Sequence, residues 1–201
     1  MTKSIINTAG QNSDNIHIKE LTSPASETIL NMDVKQLPAV HEISYRYLSK
    51  VYRGIGIINQ NKGIEFICQE LMESPVTLKS TGISLLPARK EKRSSRLCAF
   101  FDVMDYFAYL SLQANSFIRL PSDSDVIIMS DVRNFLHLLI EGDDYSRVYL
   151  FFPNSVTGIT ITQTLKDRYG GNAVACNSLY KGYSSLLQYA KAIEIPIENK
   201  D

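Results

Sequence analysis

The chain has 201 residues, of which 44% are apolar, and its 21 Lys+Arg balance 21 Asp+Glu to a formal net charge of zero. That length and apolar content suit one substantial domain, or a domain with a smaller appendage, and exclude a collagen-like or wholly disordered chain. The charge balance removes the simplest argument for nucleic-acid binding, a strongly basic domain, and leaves room only for a local basic patch.

Residues 1–38 are rich in Ser, Thr, Asn and Asp and predict a polar N-terminal arm or linker, with one short helix near 25–32. The opening MTKSIINTAGQNSDN has no apolar signal-peptide core, and no apolar run reaches the roughly 18 residues that span a bilayer. From Glu42 to Val51, the residues Ile43, Tyr47, Leu48 and Val51 recur at helical spacing and predict a helix. Gly54–Ile58 and Ile64–Cys68 are β-rich runs on either side of Asn59-Gln60-Asn61-Lys62-Gly63. They predict a hairpin whose Asn and Gly supply positive φ. Gly54-x-Gly56 leads into a strand rather than a helix, so it reads as strand geometry and not as a phosphate loop. With the short run Ile83–Leu86, residues 39–96 form a small helix plus a β-rich appendage.

The loop from Pro87 to Arg96 carries Arg89, Lys90, Lys92, Arg93 and Arg96, five cations in eight residues, offset by Glu91. Such a run either contacts phosphates in a salt-dependent way or is an ordinary solvated loop. The character then changes. Leu97–Phe101, Asp125–Met129, Arg147–Phe152 and Ala173–Asn177 are apolar segments followed by helical patterns near Met104–Ala114, Val132–Ile140, Thr157–Tyr169 and Ser184–Ile193. This alternation predicts βαβ units in residues 97–195: a mainly parallel four-stranded sheet flanked by helices, with near-continuously apolar strands covered on both faces. Asp143-Asp144 precedes the third strand, away from the ligand edge, and reads as a solvated loop. Cys68, Cys98 and Cys176 lack zinc-ligand spacing and read as reduced, buried thiols of a cytoplasmic protein.

Ligands in such sheets bind beyond the carboxyl ends of the strands. Those ends are Phe101-Asp102-Val103-Met104-Asp105, Ser130-Asp131-Val132-Arg133-Asn134, Pro153-Asn154-Ser155-Val156-Thr157-Gly158 and Tyr180-Lys181-Gly182-Tyr183. In order and spacing they resemble Toprim domains, above all the primase-like Toprim proteins of bacterial mobilizable elements. The likeness spans roughly residues 45–192, with Gly54-Ile55-Gly56 and Asn61-Lys62-Gly63 matching the strands that precede the domain. The resemblance implies a catalytic Glu, an Asp-x-Asp-x-x-Gly metal pair and Mg²⁺. Here Phe101 stands at the place of the Glu, Asp102 at a Gly, and only Asp105 matches an acidic position. Pro153 and Ser155 stand at the two aspartates with Asn154 between them, aligned on Gly158. Ser185 and Gln188 stand where acids follow the fourth segment.

Mg²⁺ takes hard oxygen ligands in near-octahedral geometry, so replacement of its ligands implies a module without Toprim catalysis and without a bound metal. Asp105, at a helix start, reads as a cap. Phe101 and Phe152 either fill the cleft or line an apolar binding surface. Tyr180 and Tyr183, flanking Lys181, either stack on bases or pack. Three readings follow. The first is an inactive Toprim-like module that binds single-stranded or duplex DNA, or serves a replication or mobilisation protein of a mobile element. The second is a protein-interaction module using the altered cleft or the N-terminal arm. The third is a residual Mg²⁺-dependent nucleotidyl-transfer enzyme or nuclease relying on Asp102, Asp105 and Asp131.

Overall fold

A computed structural model describes residues 16–20, 39–68, 75–89, 92–114 and 123–194. The expected short helix near 25–32 lies outside the described residues. Among the described residues, two five-stranded sheets carry the mixed α/β fold.

The first sheet is an antiparallel meander in the order β1 (Ile16–Glu20), β2 (Val40–Tyr47), β3 (Lys50–Ile58), β4 (Ile64–Ile67) and β5 (Val76–Leu78). It corrects two expectations. Part of the N-terminal arm is a strand, paired with β2 from Ile16↔Tyr45 to Glu20↔His41. The helix expected over Glu42–Val51 is instead the β2–β3 hairpin, paired from Val40↔Ile57 to Tyr47↔Lys50. The reason lies in the alternation. Ile43, Tyr45 and Tyr47 share one face and Glu42, Ser44 and Arg46 the other, so period two fits this stretch as well as helical spacing does. β-branched and aromatic side chains then favour the pleated surface. The two-residue turn is Leu48-Ser49, with Leu48 at φ 54°. An L-residue in that region costs about 1–2 kcal/mol, and turns of this kind favour Gly, Asn or Asp.

The β3–β4 hairpin is present as expected, but its positive φ falls on Lys62. Gly63 serves close approach: a Cβ there would lie 1.7 Å from the Ser80 carbonyl oxygen. Asn59, buried at the turn, accepts from the Asn61 and Gly63 backbone N–H groups at 3.0 and 2.8 Å and donates to the Ser80 carbonyl at 2.9 Å. Together with Gln60 N–H to the Ile83 carbonyl at 3.0 Å, this latches the meander to the start of the second sheet.

The second sheet has the order β10 (Ala173–Ala175), β9 (Arg147–Phe151), β7 (Arg96–Phe100), β8 (Asp125–Ile128) and β6 (Ser84–Leu86). β7, β8, β9 and β10 are parallel, and β6 pairs antiparallel with β8 at the edge. The run Ile83–Leu86, grouped above with the appendage, therefore supplies a fifth strand to this sheet. Helices α1 (Val103–Ala114), α2 (Phe135–Gly142), α3 (Val156–Tyr169) and α4 (Leu186–Glu194) follow the parallel strands. Successive residues of β7 face opposite layers. Cys98 and Phe100 pack with Val103 and Phe107 of α1 and Leu186 and Ala190 of α4. Leu97 and Ala99 pack with Leu138 of α2 and Ile161 and Leu165 of α3. Each face of the sheet thus has its own core, which explains the unbroken apolar runs. The meander leans on the α1–α4 layer through Val40, Ile55 and Ile57. Cys68, Cys98 and Cys176 are all buried and form no disulfide. No helix among the described residues is long and apolar enough to cross a membrane.

Candidate functional site

The chain runs β7 to β8 on one side and then crosses to β9 on the other side of β7. Strand order reverses between β7 and β9, and an open α/β sheet offers its ligand crevice at the carboxyl ends of such a pair. Here that crevice holds two rings. Phe152, fully buried, meets half-buried Phe101 edge to face with centroids 6.3 Å apart. The two aromatics pack against each other there, with Phe101 still partly exposed.

The polar residues around them are engaged by the fold. Asp102 Oδ1 accepts from the backbone N–H of Met104 and Asp105, at 2.9 and 3.0 Å, and so caps α1. Asp105 is buried, and its Oδ1 accepts from Leu187 N–H at 2.9 Å. It is a cap, as its position suggested, but of α4, 82 residues away in sequence. Ser155 Oγ accepts from Gly158 N–H at 3.2 Å and caps α3. Gly158 is required because a Cβ would lie 2.1 Å from the Pro153 carbonyl oxygen. Asp131 pairs with Arg133 at 2.7 Å. Asn154 is the hub: its side-chain N–H₂ donates to the carbonyls of Tyr183 and Tyr180 at 2.9 and 3.2 Å, and its Oδ1 accepts from Asn177 at 3.1 Å. Its backbone N–H donates to the Ser184 carbonyl at 2.8 Å.

These bonds frame an open cleft of about 500 Å³ beyond β9 and β10, lined by Asn154, Asn177, Ser178, Lys181, Tyr183 and Ser184, with Gly182 at φ 93°. Among the described residues, no carboxylate lines it. Lys181 is exposed and has no ion pair among the described residues. Tyr183 is 37% exposed and packs against Tyr189 at 5.3 Å. Tyr180 is not available for stacking. It is 1% exposed and its hydroxyl donates to the Phe152 carbonyl at 2.8 Å, and burial raises its pKa. Of the three residues expected to contact bases or phosphate here, two reach the surface of the cleft.

The basic loop lies at the opposite, amino-terminal edge of the sheet, and Lys90 falls outside the described residues. Arg93 pairs with Glu141 at 2.6 Å and Asp144 at 2.8 Å, lies 4.7 Å over the Tyr145 ring and donates to its hydroxyl at 3.0 Å. The Tyr145 hydroxyl donates in turn to buried Asp125, which also accepts from Ala88 and Ser94 N–H. Burial pushes the Tyr145 hydroxyl up to about 12, against the opposing pull of Arg93. Arg96 pairs with Asp123 at 2.8 Å. Arg89 and Lys92 alone keep exposed cations without an ion pair among the described members of this run. The acidic pair expected to be a solvated loop is tied into the same edge: Asp144 to Arg93 and Asp143 to Arg168 at 2.5 Å, a contact that lowers the Asp143 pKa.

Ser130, at the end of β8, is the strand-end residue that no spacing argument singled out. It holds φ 64° while buried, and its hydroxyl has no hydrogen-bond partner among the described residues. Burial pushes the Cys98 and Cys176 thiols up to about 12, which keeps both protonated and inert as nucleophiles at neutral pH. Among the described residues, no three His, Cys, Asp or Glu side chains gather as a metal-holding group. No family model, curated protein or solved structure matches this chain.

Proposed function

We propose that the chain is a Toprim-like α/β module whose strand ends serve structure rather than metal chemistry. It acts by binding: the cleft beyond β9 and β10 takes a phosphate of a single nucleic-acid strand, in an assembly that serves a mobile element. The observation that carries this reading is the cleft itself, which among the described residues presents one unpaired cation, Lys181, one exposed aromatic, Tyr183, and no carboxylate. A lysine and an aromatic side by side suit a backbone phosphate and a stacked base. The resemblance of the four strand-end segments supplies the mobile-element context.

The residues at the family's catalytic positions do not fit Mg²⁺. Phe101 and Pro153 offer no side-chain oxygen. Asp102 and Asp105 direct oxygens to backbone N–H groups of two different helices, and Asp131 is paired with Arg133. Calorimetric titration with Mg²⁺ or Mn²⁺ is expected to give no binding heat, and a saturable isotherm would revive the enzyme reading.

The test of the binding reading is fluorescence anisotropy with a labelled single-stranded oligonucleotide at low salt. Lys181→Ala and Tyr183→Ala are each expected to weaken binding several-fold. Absence of binding by the wild-type chain, or affinity untouched by both changes, would remove the cleft from consideration. The protein-interaction reading has its own support in Val132, Leu136 and Ile140 of the α2 segment and Val156 and Ile159 of α3, all more than half exposed. Exposed apolar side chains that form a contiguous patch mark partner surfaces, and Val132, Leu136 and Ile140 recur every four residues. Paired capture with wild-type and Leu136→Glu/Ile140→Glu chains checks it: identical partner sets would dismiss that face.

A further inference from the structure

The β2–β3 hairpin carries the second cationic feature of the molecule. In β2 and β3 the residues Arg46, Tyr47, Leu48, Ser49, Lys50, Val51, Tyr52 and Arg53 include three cations and no acid, in a chain whose net charge is zero. They form the distal part of a two-stranded ribbon, with Arg46↔Val51 and Tyr47↔Lys50 as its last pairs. Among the described residues, β4 pairs with β3 only from Ile55 onward and β1 reaches β2 only at Tyr45. The ribbon therefore extends roughly 10 Å past its last described pair with β1, at ~3.3 Å per residue.

Its two faces differ. Tyr47, Lys50 and Tyr52 share one face, where Tyr45 stacks on Tyr47 and Tyr52 at 6.2 and 6.5 Å, and the Lys50 ammonium lies 4.8 Å over the Tyr52 ring. Arg46 and Arg53 share the other, on diagonal cross-strand positions beside Val51. Both arginines are exposed and neither has an ion pair among the described residues. At the tip, Leu48 is 84% exposed and held at φ 54°, while Tyr47 and Val51 are about two-fifths exposed. An exposed apolar side chain on a strained backbone is a costly feature for a bare loop end, and strain of this kind gathers at contact sites.

We infer that the β2–β3 ribbon is a nucleic-acid-binding arm that enters the major groove of a duplex. The groove is about 12 Å wide and 8.5 Å deep and admits a two-stranded β-ribbon. A ribbon of this reach, with Arg46 and Arg53 together on one face, places two cations toward one wall of the groove. Leu48 then reaches the floor, where apolar contact with thymine methyl groups is available. The inference stands on the ribbon alone and holds even if the cleft beyond β9 and β10 binds nothing.

The test uses the full chain and a labelled 20-base-pair DNA duplex, with the single strand of the same sequence and phosphatidylserine vesicles as competing probes. Wild-type chain is expected to bind the duplex at low salt. Arg46→Ala/Arg53→Ala should weaken it at least tenfold with an unchanged melting curve, and Arg46→Lys/Arg53→Lys should restore most of the affinity. Lys181→Ala should leave duplex binding intact, which separates failure of the ribbon from failure of the cleft. Duplex affinity within twofold of wild type in the double-alanine chain would overturn the inference. So would a preference for the single strand, or binding to the vesicles alone.

Discussion

Two basic stretches, the loop 87–96 and the ribbon 46–53, look alike when their charges are counted and differ when their partners are traced. In the loop, Arg93 is held by Glu141, Asp144 and Tyr145, and Arg96 by Asp123. These contacts fasten the entry into β7 against the starts of β8 and β9. In the ribbon, Arg46 and Arg53 meet no carboxylate among the described residues. The difference shows that availability of a cation, more than local charge density, identifies a surface for an anionic partner. An arginine already paired must give up that pair before it can neutralise a phosphate.

The comparison breaks first, and hardest, at Asp125. Its buried carboxylate receives Ala88 N–H, Ser94 N–H and the Tyr145 hydroxyl. Asp125→Ala should cost about 3–4 kcal/mol, because it strands buried donors rather than removing a surface charge. Urea denaturation checks this, and a midpoint within error of wild type would show that the loop is not anchored there. Asn154→Asp comes next. A carboxylate in that place faces the Tyr180 and Tyr183 carbonyls it can no longer donate to, at an expected cost of about 2–3 kcal/mol, read from the same denaturation curves. Arg93→Ala should cost about 1 kcal/mol, since its pairs are partly exposed, while leaving duplex affinity unchanged. Arg46→Ala/Arg53→Ala should behave in the reverse manner, with stability within about 0.5 kcal/mol of wild type and affinity reduced.

The smallest effect concerns Asp143. Arg168 holds its carboxyl below the usual carboxylate range. A depressed folded-state pKa stabilises above the unfolded pKa and is lost as pH falls through the folded one. Asp143→Asn should therefore be slightly less stable than wild type at neutral pH and indistinguishable from it in strong acid. Thermal melts across that range are the measurement, and a difference that persists in acid would assign the effect to packing.

The parallel half was legible because each of its strands is covered on both faces. Leu97–Phe101, Asp125–Met129 and Arg147–Phe152 read as unbroken apolar runs and lie within a residue of β7, β8 and β9. The ribbon was not legible, because Ile43, Tyr47, Leu48 and Val51 satisfy helical spacing while Ile43, Tyr45 and Tyr47 satisfy alternation; strand pairing with β1 and β4 decides between them. The replaced acids were visible residue by residue, yet the present tasks of Asp105 and Asn154 were not. Leu187 N–H lies 82 residues from Asp105, and the carbonyls that receive Asn154 lie 26 and 29 residues on. The same distance hid the pairing of the basic loop, where Arg93 meets partners 48 and 51 residues away.

The most direct test of the contrast is the salt dependence of duplex affinity in wild type and two double variants, Arg46→Ala/Arg53→Ala and Arg93→Ala/Arg96→Ala. Each neutralised phosphate contributes about 0.9 to the slope of log K against log salt. The ribbon variant should lose about two from that slope while the loop variant keeps it. A slope that falls in the loop variant and holds in the ribbon variant would contradict the account.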